Sequence, residues 1–558
     1  MNRTKIISVI VASCFLLAEY AFPQNVVRGP YLQTGSPTSV IVRWRTDQAS
    51  DSEVKFGSSP GSLNQTAENS SSTTEHEVLL SGLSPDTKYY YSIGTTATTL
   101  AGGDENHFFI TSPVPGTRKS TRVWVLGDSG TKDSKARSVR DAYYNFTDSR
   151  HTDFWLMLGD NAYGSGTDSE YQTAVFENMY EAMLQKSVLW ATLGNHDVGS
   201  SASPGPNPYH NIFSNPKNGE AGGLASGDES YYSFDYGNIH VICLNSTATK
   251  YVSSGSAMMT WLQADVAAND KEWTIAFWHH PPYSKGSHNS DSEGLLTKMR
   301  EIAVPILEDG GVDLVLSGHS HNYERSFLLD GHYGQSGTLT SSMKLDPGNG
   351  RADGDGAYKK ATLGAAAHEG AVYMVSGCSG KTGGGSLNHP AMFISFNTLG
   401  STVLDVDGNR LDVTFVNSSG QTLDYFTMIK GDIQSGPATQ LVALSGDGQS
   451  GLVGTTLPNP FVVQARDANN NPVAGVAVTF EITFGNGSLS ATQQVTSASG
   501  RASTVLTFGN TPGTVTVSAI APGLTGSPQI FSSTAIENPQ PDTQPPAPPV
   551  NVRVVLGQ

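Results

Sequence analysis

The sequence predicts a multidomain chain in which a central α/β unit stands between an N-terminal and a C-terminal all-β sandwich. Three observations carry this. The chain has 558 residues, more than one ordinary core can hold. Gly 60 and Pro 29 punctuate strand-like runs, the mark of a β-rich chain with many turns. Between residues 120 and 430 apolar runs alternate with helical patterns, whereas strand patterns dominate on either side.

Taken in order, residues 1–24 read as a signal peptide: Asn2-Arg3-Thr4-Lys5 precede "IISVIVASCFLLAEYAF", an apolar stretch of export length and too short for a membrane span. The mature chain is therefore expected outside the cytoplasm, secreted, periplasmic or at the cell surface, with no transmembrane segment. Val11-Ala12-Ser13-Cys14 also has the shape of a lipoprotein cleavage site, a second choice because the apolar run continues to Leu17. Residues 26–115 alternate with period two in "TSVIVRWRT" and "EVKFGSS", with turns about every ten residues, and predict a small β-sandwich. Leu83-x-Pro85-x-Thr87-x-Tyr89-x-Tyr91 resembles the corner before a late strand of fibronectin type III domains, a device that holds a fold. Residues 120–430 run "TRVWVLGD", "SKARSVRDAYYNFTD", "DFWLMLGD", "SEYQTAVFENMYEAMLQK", "VLWATLGNHD", and later "WTIAFWHH", "EGLLTKMREIAVPILED" and "VDLVLSGHSH". Val123–Leu126 and Leu314–Leu316 are apolar on both faces, as buried strands are. Residues 433–535, with "QARDANNNPVAGVAVTFEIT" and "GTVTVSAIAPG", predict a second sandwich that resembles the immunoglobulin-like repeats of bacterial surface proteins. It is expected to act as a spacer or to contact a cell surface or polysaccharide. Residues 536–558 read as a Pro-rich linker and the opening strand of a further domain.

Lys+Arg 33 against Asp+Glu 50 gives a net charge of −17, without a basic run, which excludes tight binding to nucleic acid or an anionic membrane. Cys243 and Cys378 each follow an apolar run and are expected as two buried thiols, with a single bridge as the alternative. They cannot form a Cys-rich zinc site.

Ligand-type residues recur directly after the buried strands of the central unit. They are Gly127-Asp128-Ser129-Gly130, Gly159-Asp160-Asn161-Ala162-Tyr163, Gly194-Asn195-His196-Asp197, His279-His280-Pro281-Pro282-Tyr283 and Gly318-His319-Ser320-His321. Singly, each is an ordinary turn or cap. Together, five strand tips in an α/β sheet converge on one edge, and the preceding glycines are expected to supply the sharp turns. Carboxylates, imidazoles, an amide and a phenol, without thiolate, suit iron, manganese or zinc. A carboxylate can bridge two ions, and such a pair stabilises both the attacking and leaving oxygens of an in-line phosphoryl displacement.

The ordered set GDSG, GDNAY, GNHD, H-x-P-x-Y and GHSH resembles the five-block signature of the calcineurin-like metallophosphoesterases, and Tyr163 narrows it to the purple acid phosphatases. "GHSHNYER" and "VVRGPYLQTGSPTSVIVRW" are similar to the plant and large bacterial members, so the resemblance covers about residues 26 to 430. It implies a metallophosphoesterase β-sandwich flanked by helices. It assigns Asp128, Tyr163 and His321 to Fe(3+), and Asn195, His279 and His319 to a second divalent metal (Fe, Zn or Mn), with Asp160 bridging. A tyrosinate-to-iron band in the visible follows from Tyr163. His196 and His288 resemble the residues that hold the phosphate and protonate the leaving alkoxide, tasks that imidazolium suits. Plant-type enzymes carry two adjacent histidines where this chain has His288-Asn289. His280 is expected to pack or orient. Asp197 and Arg325 could orient metal-binding imidazoles, cap the site, or be ordinary structural groups, while His332 and His368 carry no motif and read as structural. The implied activity is hydrolysis of small phosphate monoesters at acidic pH by a metal-bound hydroxide. Two readings compete: a phosphodiesterase or nucleotide phosphatase with the same centre, and a surface adhesion protein with a vestigial phosphatase domain.

Overall fold

The structure is a computed structural model that describes residues 24–537 apart from 178, 200–207, 432–435, 469–472 and 498–499. The export signal with Cys14 and the Pro-rich end from residue 538 lie outside the described residues. Among the described residues no helix is long and apolar enough to cross a membrane.

The N-terminal unit is a six-stranded antiparallel sheet built on the long strand Ser39–Gly57. That strand pairs with Val26–Gln33 through its first half and with Lys88–Gly94 through its second, so one sheet supplies both layers around Trp44, Val54, Tyr91 and Phe109. The anticipated corner is present, with the Ser84 amide donating to the Tyr89 hydroxyl at 3.0 Å. This unit is fastened to the next one. Tyr31 donates its buried hydroxyl to the Ile212 carbonyl (2.7 Å), Gln33 donates to the Leu189 carbonyl (2.9 Å), and Arg28 and Arg45 both grip Asp168 (3.0 and 2.6 Å).

The central unit pairs two seven-stranded sheets face to face. One runs Tyr358–Lys360, Thr422–Lys430, Arg410–Asn417, Gly400–Asp407, Thr121–Leu126, Phe154–Met157, Val188–Ala191. The other runs Tyr232–Tyr236, Ile239–Cys243, Trp273–Trp278, Leu314–Ser317, Val372–Ser376, Tyr323–Ser326, Met392–Phe396. Successive strand residues face opposite ways, and both faces are apolar because both are covered. Val123, Val125 and Phe154 meet Phe234, Ile275, Leu316 and Met374 between the sheets. Trp124, Leu126 and Trp155 face outward onto the Ser134–Thr147 helix, and Ala276, Trp278 and Val315 onto Ala257–Ala268 and Val304–Asp309. Asp133 caps the first of these helices, accepting from the amides of Lys135 and Ala136. The pattern in "SEYQTAVFENMYEAMLQK" does not form one helix. It splits into Asp168–Tyr171, a π turn at Gln172–Phe176 and Glu181–Leu184. The wide turn rotates successive faces, so Tyr171 reaches Asp197 at 2.7 Å while Phe176 packs on Tyr31.

The C-terminal sandwich stacks a three-stranded sheet containing Phe461–Arg466 on a five-stranded sheet containing Gly513–Ile520 and Gln529–Ile536. Leu441, Phe461, Phe480, Val517 and Phe531 fill its core. Cys243 and Cys378 are buried free thiols, so the bridge does not form.

Candidate metal centre

The strands Thr121–Leu126, Phe154–Met157 and Val188–Ala191 run parallel in one sheet, and Trp273–Trp278 and Leu314–Ser317 run parallel in the other. Their carboxyl ends therefore open on a shared edge, and the five motif loops meet there. The Tyr163 hydroxyl donates to Asp128 Oδ1 at 2.9 Å and lies 3.3 Å from His321 Nε2, itself 3.4 Å from Asp128 Oδ1. A second group centres on Asn195 Oδ1, which lies 3.0 Å from both His279 Nε2 and His319 Nδ1. Asp160 stands between the groups: its Oδ1 is 3.4 Å from His279 Nε2, and its ligand atom lies within 4.8 Å of those of Asp128 and His321. All seven residues singled out as ligands thus come together, in two sets that share Asp160.

Three of them carry the backbone cost. Asp128, Asp160 and His319 have φ of 55°, 53° and 65°, a left-handed conformation sparsely populated by non-glycine residues and concentrated at functional sites. The expectation about the glycines holds at Gly159, which has φ of 89°, and is corrected at Gly127 and Gly318, where the positive φ falls on the following Asp128 and His319; Gly127, Gly194 and Gly318 are instead needed for close approach. A Cβ on Gly194 would lie 2.2 Å from the Asp160 amide nitrogen, and one on Gly318 would lie 2.5 Å from Asp128 Oδ2.

The electrostatics suit a cation. Burial pushes the Tyr163 phenol far above its usual value, and Asp128 and Asp160 push the same way. Burial raises the Asp128 carboxyl too, but the bond to His321 and the nearby imidazoles draw it down to about 2. Burial lowers His279, yet Asp160 and Asp128 outweigh it and raise this imidazole, whereas burial takes His319 to about 4. A phenol between two carboxylates, with imidazole nitrogens beside them, is a donor set that a multivalent ion would satisfy.

Around these sets lie the remaining residues. The His196 amide donates to Asp160 Oδ1 (2.8 Å), and its ring is 4.5 Å from that of Tyr163. The His288 ring lies 3.7 Å from the His319 ring, and its Nδ1 lies 2.9 Å from Glu293 Oε2. Glu293 also reaches His319 Nε2 at 3.4 Å. Burial raises its carboxyl, but His319, the Asn289 amide and His288 hold it at about 2. Nothing in the local sequence marked Glu293, because the loop that folds it back has no periodicity. His280 packs as expected, 2.9 Å from Ser246 Oγ with its ring 4.4 Å from that of His319. Asp197 gathers loops by accepting from the amides of Asn161, Ala162 and Gly194 and the hydroxyl of Tyr171. Arg325 forms a buried pair with Asp424 that ties one sheet to the other (2.6 Å). His332 stacks on Tyr283, and His368 pairs with Asp309 and Asp330, both structural roles.

Two facing sheets with helices outside and a mixed oxygen and nitrogen cluster at the strand tips define a metallophosphoesterase-type fold. Residues 121–323 match the calcineurin-like phosphoesterase family, residues 28–112 the purple acid phosphatase N-terminal domain, and residues 456–532 the group 1 bacterial Ig-like domain. Over residues 28–323 the chain is similar to purple acid phosphatases, and a region similar to bacterial Ig-like domains follows. It is 29% identical over 280 residues to purple acid phosphatase 15 of Arabidopsis thaliana, covering 45% of this chain and 49% of that one. With purple acid phosphatase 21 of the same plant it is 29% identical over 324 residues, 54% of this chain and 66% of the relative. The onion (Allium cepa) phosphoenolpyruvate phosphatase is 27% identical over 56% of this chain and 66% of its own. The matches thus span about half to two thirds of the relatives' length. Among solved structures, purple acid phosphatase PPD1 from yellow lupin seeds shares the fold, with a TM-score of 0.56, 18% identity, and coverage of 73% of this chain and 75% of that one.

Proposed function

We propose that this chain is an exported acid phosphatase that hydrolyses small phosphate monoesters at a dinuclear centre of Fe(3+) and a second divalent metal, iron, zinc or manganese. The observation that supports it most is Asp160 shared between two donor sets, Asp128/Tyr163/His321 and Asn195/His279/His319. These sets would hold one ion each, with Asp160 between them. When bound, the ions supply Lewis acidity toward the phosphoryl oxygens and an activated water at acidic to neutral pH.

The protein's own groups do the rest. His196 Nδ1 is 2.8 Å from the Gly164 carbonyl, so this nitrogen donates there. Nε2 is left on the Asp160 side, 3.9 Å from Oδ2, where an imidazolium can hold a phosphoryl oxygen. His288 Nδ1 is engaged by Glu293, which leaves Nε2 to carry a proton to the leaving oxygen. Relatives named purple acid phosphatase and phosphoenolpyruvate phosphatase support monoesters over diesters. The basic and then apolar start of the chain supports export.

The test combines metal quantification, the visible spectrum and two chromogenic substrates. Two ions per chain, a visible band lost in Tyr163→Phe, and faster turnover of 4-nitrophenyl phosphate than of its bis-ester are expected. Asp128→Ala and His321→Ala should lose metal, band and turnover together. Fewer than one ion per chain, or preference for the diester, would sink the proposal.

A further inference from the structure

The segment Ser379–Leu387, "SGKTGGGSL", carries no catalytic motif yet lies against three of the motif loops. The Ser379 amide donates to the Gly127 carbonyl (3.0 Å) and the Thr131 hydroxyl to the Gly380 carbonyl (3.3 Å). The Gly383 amide donates to the His321 carbonyl (2.7 Å) and the Leu387 amide to the Lys285 carbonyl (2.8 Å). Its glycines permit this approach: a Cβ on Gly380 would lie 2.6 Å from the Asp128 carbonyl oxygen, and one on Gly385 would lie 1.9 Å from that of Gly286.

The one charged side chain of this segment is Lys381, held between the anchors at Ser379 and Gly383. Its ammonium stands 3.8 Å from the centroid of the Tyr163 ring. Lys119, Lys217, Lys271 and Lys285 each pair with a carboxylate, whereas Lys381 forms no ion pair with any described residue. In a chain of net charge −17, a half-buried ammonium kept from carboxylates at the rim of an anion-binding site is available to a charge that arrives with the substrate. It sits on the ring that His196, the residue proposed above to hold a phosphoryl oxygen, also touches.

We propose that Lys381 forms a subsite for a second anionic group, a carboxylate or another phosphate, close to the ester oxygen of the substrate. This rests on the phosphatase reading above and names its substrate class: short phosphomonoesters with a further negative charge.

Matched substrates test it on the metal-loaded full chain. Glycerate 3-phosphate against glycerol 3-phosphate isolates a carboxylate, and glycerol 1,3-bisphosphate against glycerol 1-phosphate isolates a phosphate. The parent should favour the doubly anionic member of at least one pair. In Lys381→Met that kcat/KM ratio should fall about ten-fold, through KM, and Lys381→Arg should recover most of it. Calorimetric titration with phosphonoacetate and with methylphosphonate should show the same loss of discrimination without turnover. An unchanged ratio in Lys381→Met, with both members slowed equally or neither slowed, would overturn the subsite and leave Lys381 acting on Tyr163 alone. A parent that hydrolyses none of these esters would refute the phosphatase reading, and the two phosphonate affinities would still decide the subsite.

Discussion

Asp197 offers the most quantitative test of how the centre is held. Its carboxylate accepts from the amides of Asn161 (3.0 Å), Ala162 (3.2 Å) and Gly194 (2.8 Å) and from the Tyr171 hydroxyl (2.7 Å). It thereby joins the loop bearing Asp160 and Tyr163 to the loop bearing Asn195. Asp197→Ala would take a buried acceptor from these donors and from the Asn161 side-chain amide (3.1 Å). Each unsatisfied donor costs roughly 1–3 kcal/mol, and water entering the cavity recovers part, so a net loss of about 4 kcal/mol is expected. For a unit of this size that is a fall in melting temperature of about 8–16 °C. Tyr171→Phe removes one bond from the same carboxylate and should cost about 1 kcal/mol, or about 2–4 °C. Calorimetric melting of both variants, with metal quantification, checks the argument. If Asp197→Ala melted within 3 °C of the parent and kept its full metal content, Asp197 would not be the tie that positions Asp160 and Asn195.

Glu293→Gln should slow turnover of 4-nitrophenyl phosphate about ten-fold, since the amide presents a weaker partner to His288 Nδ1. Steady-state kinetics and a melt test this, and unchanged kcat would remove Glu293 from the positioning of His288. A pH effect arises away from the metal ligands, at His240, whose nitrogens lie 2.8 and 2.9 Å from Asp235 and Asp265. Burial lowers this imidazole, but Asp265 and Asp235 outweigh it and raise it to about 10. A raised folded value means that its stabilisation is fully present below about pH 6.5 and is lost as pH climbs toward 10. The melting-temperature gap between parent and His240→Asn should therefore be widest near pH 6 and shrink by half or more at pH 10. A gap that widened with pH would contradict the charged pair.

Local order along the chain was sufficient to reveal the strand tips. A buried strand must be apolar on both faces and end in a turn, so runs such as Val123–Leu126 followed by Gly-Asp announce themselves without any knowledge of distant segments. Five blocks of ligand-type residues were legible for that reason, and because parallel strands in an α/β unit put their carboxyl ends on one side; the choice of seven residues within them is what the resemblance to purple acid phosphatases implies. What spacing could not show was which residue absorbs the backbone reversal. In the structure it falls on Asp128, Gly159, Asp160 and His319, while Gly194 packs closely on Asp160 and Gly318 on Asp128. Contacts between loops far apart in sequence were hidden too. Arg325 lies four residues after His321, yet it turns to Asp424 on the other sheet. Asp197 closes the Gly194-Asn195-His196-Asp197 block and serves as a clamp. Glu293 and Lys381 sit in segments without periodicity, and their meaning comes from where the fold returns them: one beneath His288 and His319, the other onto the ring of Tyr163. The chemistry of the centre was thus written in residue types at strand ends, a local property. Its support and its outer rim depend on long-range closure, which only the packed tertiary structure decides.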